Sequence, residues 1–251
     1  MTTLLFYKNL VALDSELHRN LRLAPMDQFR FAADATALPV VVGEFADLAR
    51  QNALAFLRAQ DGELVPVALV GLPGGKNLYL DKKGQWTAPY VPAFVRRYPF
   101  VFAQTGPDQL TLCVDRDCKQ LGPKAGERLF DDQGQPTPRV QQALALLAEF
   151  QRQHAQTRSF VQRLDGAGLL MQAQADARLG DGRQLSLQGL LVVDENKLRD
   201  LPADTLKAWA HSGELGLVYA HLLSLGHLVE LLRRQPAATP ATATPQATPQ
   251  S

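Results

Sequence analysis

The sequence predicts an α+β protein, and three observations carry that prediction. Short apolar runs punctuated by turn residues recur through the first half of the chain. The segment Arg139 to Leu164 repeats apolar residues at helical spacing. Beyond Pro202 the apolar residues again follow a helical period. The expected architecture is short antiparallel hairpins in the N-terminal half and around 169–193, one long central helix and a C-terminal helical hairpin. A disordered Pro/Ala/Thr tail is expected over 236–251, because such a composition buries too little surface to offset its ordering. Residues 1–235 read as a single domain with a sub-boundary near 120–138, where the sequence turns polar.

Bulk properties exclude several classes. The chain has 251 residues, 46% of them hydrophobic and 20% charged, which suffices for a sizeable core. A formal net charge of +1 argues against an electrostatic nucleic-acid binder and against an anionic membrane surface as partner. The N-terminus lacks the basic and apolar regions of a secretory signal. The apolar run Leu215 to Leu232 contains His221, Ser224, His227, Glu230 and two glycines, so it reads as a buried core helix, not a membrane span. A soluble, cytoplasmic protein is expected, not a multi-span permease.

In chain order, residues 4–13 alternate loosely, Asp14 or Ser15 turns the chain, and a strand through Leu21 and Leu23 ends at Pro25. Pro39 to Val42 is apolar and β-branched, and Gly43 opens a helix with Phe45, Leu48 and Ala49 on one face. Asp61-Gly62 between apolar runs predicts a hairpin of Leu54–Arg58 and Leu64–Val70, with Pro66 favouring an edge or a strand's beginning. Helix propensity also allows a helix through Ala59. After the turn Pro73–Gly75, Leu78–Leu80 reads as a short strand and a turn at Asp81–Gly84 delivers Trp86. Pro89 and Pro92 prevent regular pairing until AFVRRY; then PFVFAQ and LTLCVD pair across a turn at Thr105–Gln109.

A polar connection leads to Pro138, which suits the first turn of the central helix; Thr157 marks a candidate break in it. Leu169–Ala175 and Gln184–Val193 read as strands around Gly180-Asp181-Gly182. Asp194 caps a short helix, Pro202 starts another with Leu206 and Trp209 inward, and Gly213 ends it. The final helix runs from about Glu214 to Arg234.

No familiar catalytic pattern is present. His221 and His227, six residues apart, point about 120° away from each other on a helix and cannot share a metal unaided. Ser224 lies mid-helix outside any nucleophile elbow, and GLPGGKN lacks phosphate-loop spacing. Asp131-Asp132 and Asp194-Glu195 sit where turns and helix starts need acids. Cys113 and Cys118 stand alone as C-x4-C, too few ligands for structural zinc, and read as reduced thiols. No metal, cofactor or catalytic residue is assigned.

The densest chemistry lies between Gly71 and Phe102, in GLPGGKNLYLDKKGQWTAPYVPAFVRRYPFVF. Arg96 and Arg97 stand among Trp86, Tyr90, Phe94, Tyr98 and Phe100. Arginine stacks on rings and forms two-pronged bonds to carboxylate or phosphate. Two readings stay open. One is a structural knot in which the guanidiniums tie loop carbonyls and an internal carboxylate together. The other is a pocket for an anionic or peptide ligand. The candidate ligand-binding residues are Asn77, Trp86, Tyr90, Arg96, Arg97 and Tyr98, with His18 and His221 secondary.

The stretches HRNLRLAP, VALVGLPGGKNLYLDKKGQW, YVPAFVRRYPF, GERLFDDQGQPT, LSLQGLLVVDENKLRDL and GELGLVYAHLLSLGHL resemble the SapC family of proteobacterial proteins over about residues 4–232. Where relatives resemble Tyr-Pro-Ile-Val-Phe, this chain has Asn52-Ala53-Leu54-Ala55-Phe56. The resemblance implies an accessory or binding role in surface-layer protein export or outer-membrane receptor-linked uptake. It supplies no catalytic residues. An enzyme modifying a peptide or small molecule with a borrowed cofactor is the alternative, and it needs His18, Tyr98 and His221 to converge with the arginines. A third reading is a structural homo-oligomer built on the C-terminal helices.

Overall fold

The computed structural model describes residues 5–59, 61–106, 109–173, 175–178, 184–187 and 189–234. The expected turn at Gly180–Gly182 and the tail at 236–251 lie outside them, as do residues 107 and 108 of the turn at Thr105–Gln109. The fold is α+β. In chain order it contains β1 (Leu10–Ala12), β2 (Arg22–Leu23), β3 (Ala37–Pro39), α1 (Phe45–Leu48), β4 (Leu54–Arg58), β5 (Leu64–Leu69) and the single-turn helix α2 (Ala93–Arg96). Then come β6 (Phe100–Gly106), β7 (Gln109–Asp115), β8 (Leu121–Gly122), β9 (Glu127–Arg128) and the long helix α3 (Pro138–Gly166). The chain continues through β10 (Leu170–Gln172), β11 (Ala175–Arg178), β12 (Gln184–Leu187) and β13 (Leu190–Val193). It closes with α4 (Glu195–Arg199), α5 (Ala203–Ser212), α6 (Glu214–Ser224) and α7 (His227–Arg233).

The largest sheet is five-stranded and antiparallel, in the order β10-β13-β4-β5-β3. Its strands are apolar almost throughout because both faces are covered. Ala55, Val67, Leu69 and Leu190 point into one core, which also receives Val140, Leu147 and Phe150 of α3. Leu54, Phe56, Ala68, Leu191 and Val193 point into a second core with Phe160, Val161 and Leu164 from later in the same helix, plus Trp209 and Val218. The alternation is the pleat itself, since successive side chains leave opposite faces of a strand. Thus α3 serves both cores. It does so unbroken: Thr157 Oγ1 donates to the Gln153 carbonyl at 2.7 Å and accepts the Val42 N–H at 3.0 Å. That second bond gives its hydroxyl a purpose other than a break.

Several expectations need correction. Pro66 does not mark an edge, because β5 is flanked by β4 and β3. Its carbonyl accepts the Val40 N–H at 3.0 Å, but its ring nitrogen has nothing to donate in return, and β3 ends there, at Pro39. Leu54–Arg58 is the expected strand, and only the alternative helix through Ala59 falls away. Leu78–Leu80 is no strand; only the bridge Leu80–Trp86 forms. The polar connection before α3 contributes β8 and β9, which flank β2. The final helix divides at Leu225-Gly226 into α6 and α7.

The C-terminal helices also differ in which way they face. The span Glu214–Arg233 is long and apolar enough to cross a membrane by length and composition, with mean hydropathy 1.5, yet only 22% of it is buried. Tyr219, Leu223 and Val229 are exposed, whereas Glu214, His221 and Ser224 turn inward. The inward polar groups have partners. Glu214 binds Arg163, with Nε–Oε1 at 2.6 Å. Extending the β13–β4 register would pair Val193 with Leu54, but α6 intervenes. His221 Nε2 accepts the Val193 N–H at 3.0 Å, and Ser224 Oγ accepts the Leu54 N–H at 2.9 Å. Two donors that the sheet leaves unpaired are satisfied by side chains, as buried amides require.

Candidate functional site

The site is built on α2. Pro92 precedes it, so the Ala93 N–H stands at the helix start without an intrahelical partner. Glu44, which closes the short 3-10 turn before α1, reaches that amide: Ala93 N donates to Oε1 at 2.6 Å, while Val41 N approaches Oε2 at 3.4 Å. The Tyr90 hydroxyl also donates to Glu44 Oε1, at 2.9 Å. Arg96 Nη2 in turn donates to the Tyr90 oxygen at 3.0 Å, and Arg96 Nε donates to the Val91 carbonyl at 2.9 Å. The guanidinium carbon lies 5.3 Å from the centre of the Tyr90 ring. A buried carboxylate therefore positions a phenol, and the phenol positions an exposed cation.

The backbone of Tyr90 is fixed from two further directions. Gln51 accepts its N–H at 3.1 Å and donates to its carbonyl at 2.7 Å. The Trp86 indole donates to the same carbonyl at 3.0 Å. Burial pushes the Glu44 carboxyl above its ordinary value despite the donors around it. Burial and the Glu44 charge push the Tyr90 phenol up to about 12. Tyr90 consequently keeps its proton at neutral pH, as its role between Glu44 and Arg96 requires.

Arg96 opens onto a cavity of about 550 Å³. Phe29, Val91, Val95 and Tyr98 give it apolar walls, and Arg139 and Glu127 bring further charge. Arg96 Nη1 makes no hydrogen bond among the described residues. This is a half-apolar groove with one pre-oriented guanidinium and a second on its rim.

Arg97 goes the other way. It caps the C-terminal end of α2 and is 3% exposed. Its guanidinium carbon lies 4.1 Å from the Phe94 ring centre, 4.8 Å from Phe150 and 5.9 Å from Tyr7. Its Nε and Nη2 have no hydrogen-bond partner among the described residues. Those two nitrogens share the edge that arginine offers to a carboxylate. Burial lowers its proton affinity, although a guanidinium stays charged in proteins.

The other sequence candidates fall elsewhere. Asn77 is buried and closes a turn, donating to the Ala32 carbonyl at 3.2 Å and accepting the Tyr79 N–H at 2.9 Å. Trp86 is half-buried and stacks on Tyr79 at 5.8 Å. Tyr98 is buried against Phe31 at 4.0 Å, and its hydroxyl donates to Asp115 at 3.3 Å. His18 Nδ1 accepts the Asp14 N–H at 3.0 Å within its own turn. His221 lies in the second core, its proton affinity lowered to a pKa of about 4 by burial. Tyr98 lines the groove, but neither histidine does. Cys113 and Cys118 are free and buried. Among the described residues no group of three or more His, Cys, Asp or Glu is placed to hold a metal ion.

Sequence reasoning missed Glu44, Gln51, Arg139 and Asp115. The one signal for Glu44 was a lone acid inside the apolar run PVVVGEF. Asp115 is wholly buried and accepts the N–H groups of Lys8, Asn9 and Asp117, each at 3.1 Å. Nothing in LCVDRDC announced that.

The groove, the Glu44–Tyr90–Arg96 chain and Arg97 all fall inside residues 13–231, which match a family model described as SapC. No curated protein matches the chain, and no solved structure does. With most of its length matched, the chain belongs to the SapC family.

Proposed function

We propose that this protein is a binding or accessory factor that takes an anionic or peptide ligand in the groove beside α2. The Glu44–Tyr90–Arg96 chain carries the reading. A buried carboxylate with three donors around it holds an exposed guanidinium in one orientation at the mouth of a cavity. Such pre-organisation lowers the ordering cost of gripping a carboxylate. The apolar walls suit the side chain next to that carboxylate. The SapC resemblance, with its link to surface-protein export and receptor-linked uptake, favours peptides as the ligand class and a cytoplasmic setting.

The tripeptide Ala-Leu-Phe, with free and with amidated carboxyl terminus, is a suitable probe by calorimetry on the full chain. The free acid is expected to bind saturably, and amidation or Arg96→Ala to weaken it about tenfold, as for one lost charge-assisted bond of ~1.4 kcal/mol. Because Arg96 is exposed, the variant keeps its thermal midpoint. Equal binding by Arg96→Ala overturns the proposal, and an Arg96→Ala chain that unfolds overturns it too by making Arg96 a structural tie.

A further inference from the structure

Tyr98 has a second side. Beyond it lies a larger cavity, about 760 Å³, which shares no lining residue with the α2 groove except Tyr98. Its floor is aromatic and largely buried. Phe31 stacks on Tyr98 with ring centres 4.0 Å apart and planes inclined by 24°. Phe6 meets Phe31 edge-on at 5.2 Å, and Tyr7 approaches Tyr98 at 5.5 Å. Four rings thus meet at one depression, presenting the faces and edges that another flat ring packs against.

The rim is charged and unevenly answered. Lys8, Arg30 and Lys119 stand on it with Asp34 and Asp117. Asp34 binds the Lys76 ammonium, which holds its carboxyl below the ordinary range. Asp117 accepts Asn9 Nδ2 at 3.3 Å. Arg30 gives Nη2 to the Lys82 carbonyl at 2.9 Å. Lys8 and Lys119 form no salt bridge at contact distance among the described residues, although the Lys8 charge also reaches Asp34. The acids of the rim are engaged and its cations are largely not, so the field over the floor favours an anion.

We infer that this bowl binds a planar aromatic anion. The ring lies against the Phe31–Tyr98 floor, and its carboxylate or phosphate meets Lys8, Lys119 and Arg30. The site is separate from the α2 groove and stands whether or not that groove binds peptides.

Anthranilate, a fluorescent aromatic carboxylate, tests this on the full chain, with neutral anthranilamide and aliphatic hexanoate as controls. Anthranilate is expected to bind saturably and both controls at least about tenfold more weakly. The double variant Lys8→Gln/Lys119→Gln is expected to weaken anthranilate about tenfold with an unchanged thermal midpoint, since both side chains are exposed. Arg96→Ala should leave anthranilate binding intact, which separates this site from the groove. Absence of saturable binding, an unaffected double variant, hexanoate binding as tightly as anthranilate, or loss of binding in Arg96→Ala would each overturn the inference.

Discussion

Glu44 and Arg97 sit at opposite ends of the same helical turn, both buried, and they are treated in opposite ways. At the N-terminal end of α2, Glu44 is met by the Ala93 and Val41 amides and the Tyr90 hydroxyl. At the C-terminal end, Arg97 is met by the faces of Phe94, Phe150 and Tyr7, while two in-plane donors go unanswered. The difference separates two uses of a buried ionisable group. One surrounded by directed bonds is an architectural part, and its removal should unravel what it ties. One resting largely on ring faces gains a diffuse attraction and leaves part of its directional capacity unused: Arg97 keeps a hydrogen bond with the Tyr7 side chain, but its Nε–Nη2 edge is unanswered among the described residues.

The largest expected effect is at the satisfied end. Glu44→Ala strands three donors and leaves a void, so unfolding stability should fall by about 3–5 kcal/mol, as for a broken buried charged network. Urea unfolding checks it: the midpoint should drop with the slope unchanged. A loss below about 1 kcal/mol would mean that the Ala93 amide finds another acceptor, and the contrast with Arg97 would collapse.

The next effect sharpens the contrast with a buried base that is neutral. His221 accepts the Val193 N–H through Nε2, so its proton sits on Nδ1, which has no partner among the described residues. Burial lowers its pKa from 6.5 to about 4. Above pH 6.5 the ring is neutral in both folded and unfolded chains. Below that, the unfolded chain takes up a proton that the folded chain refuses until about pH 4. Stability is therefore complete above 6.5 and falls as pH drops through the window, by about 3 kcal/mol in all. Glu44 contributes with the opposite sign. Its raised folded pKa means that the proton-linked part of its contribution is greatest below the ordinary value of 4.5 and is lost as pH rises through the folded value, while its hydrogen bonds to Ala93, Val41 and Tyr90 remain. His221→Gln should flatten the acid limb of a urea-midpoint profile, and a limb of unchanged steepness would assign the acid sensitivity elsewhere.

Much of the frame was legible because its signals are local. Asp61-Gly62 between apolar runs gave the β4–β5 hairpin, with Gly62 at a φ of 85°. Asp194 caps α4 by accepting from the Asn196 and Lys197 amides, and Gly213 ends α5 at a φ of 83°. Pro138 opens α3 as its missing N–H permits. The division of α6 from α7 was not legible, because Leu225-Gly226 sits inside an unbroken apolar run and a single glycine is tolerated in helices. The site was half legible. The aromatic and arginine cluster stood out by composition, but Glu44 serves partners 46 and 49 residues away, a separation no local pattern encodes. The sequence named both Arg96 and Arg97 as candidates without saying which one would face outward, although consecutive residues at a helix end diverge by about 100°. The chain uses that angle to expose one guanidinium and bury the other.

The smallest effect is the most discriminating, because its sign is opposite to the first. Each ring face over a desolvated guanidinium contributes about 0.5–2 kcal/mol. Each buried donor left unanswered costs about 1–3 kcal/mol. With three rings against two donors these sums nearly cancel, and desolvation of the charge itself tips the balance against Arg97. A long apolar side chain would keep the ring contacts and remove both the charge and the orphaned donors. Arg97→Met should therefore stabilise the fold by about 1–2 kcal/mol, in the range seen when buried charges give way to apolar residues of similar volume. Thermal and urea unfolding of the purified full chain measure it directly. A destabilisation of the size expected for Glu44→Ala would show that something outside this chain's own oxygens answers the Nε–Nη2 edge in solution. Arg97 would then stand beside Glu44 as a satisfied charge, and the asymmetry between the two ends of α2 would disappear.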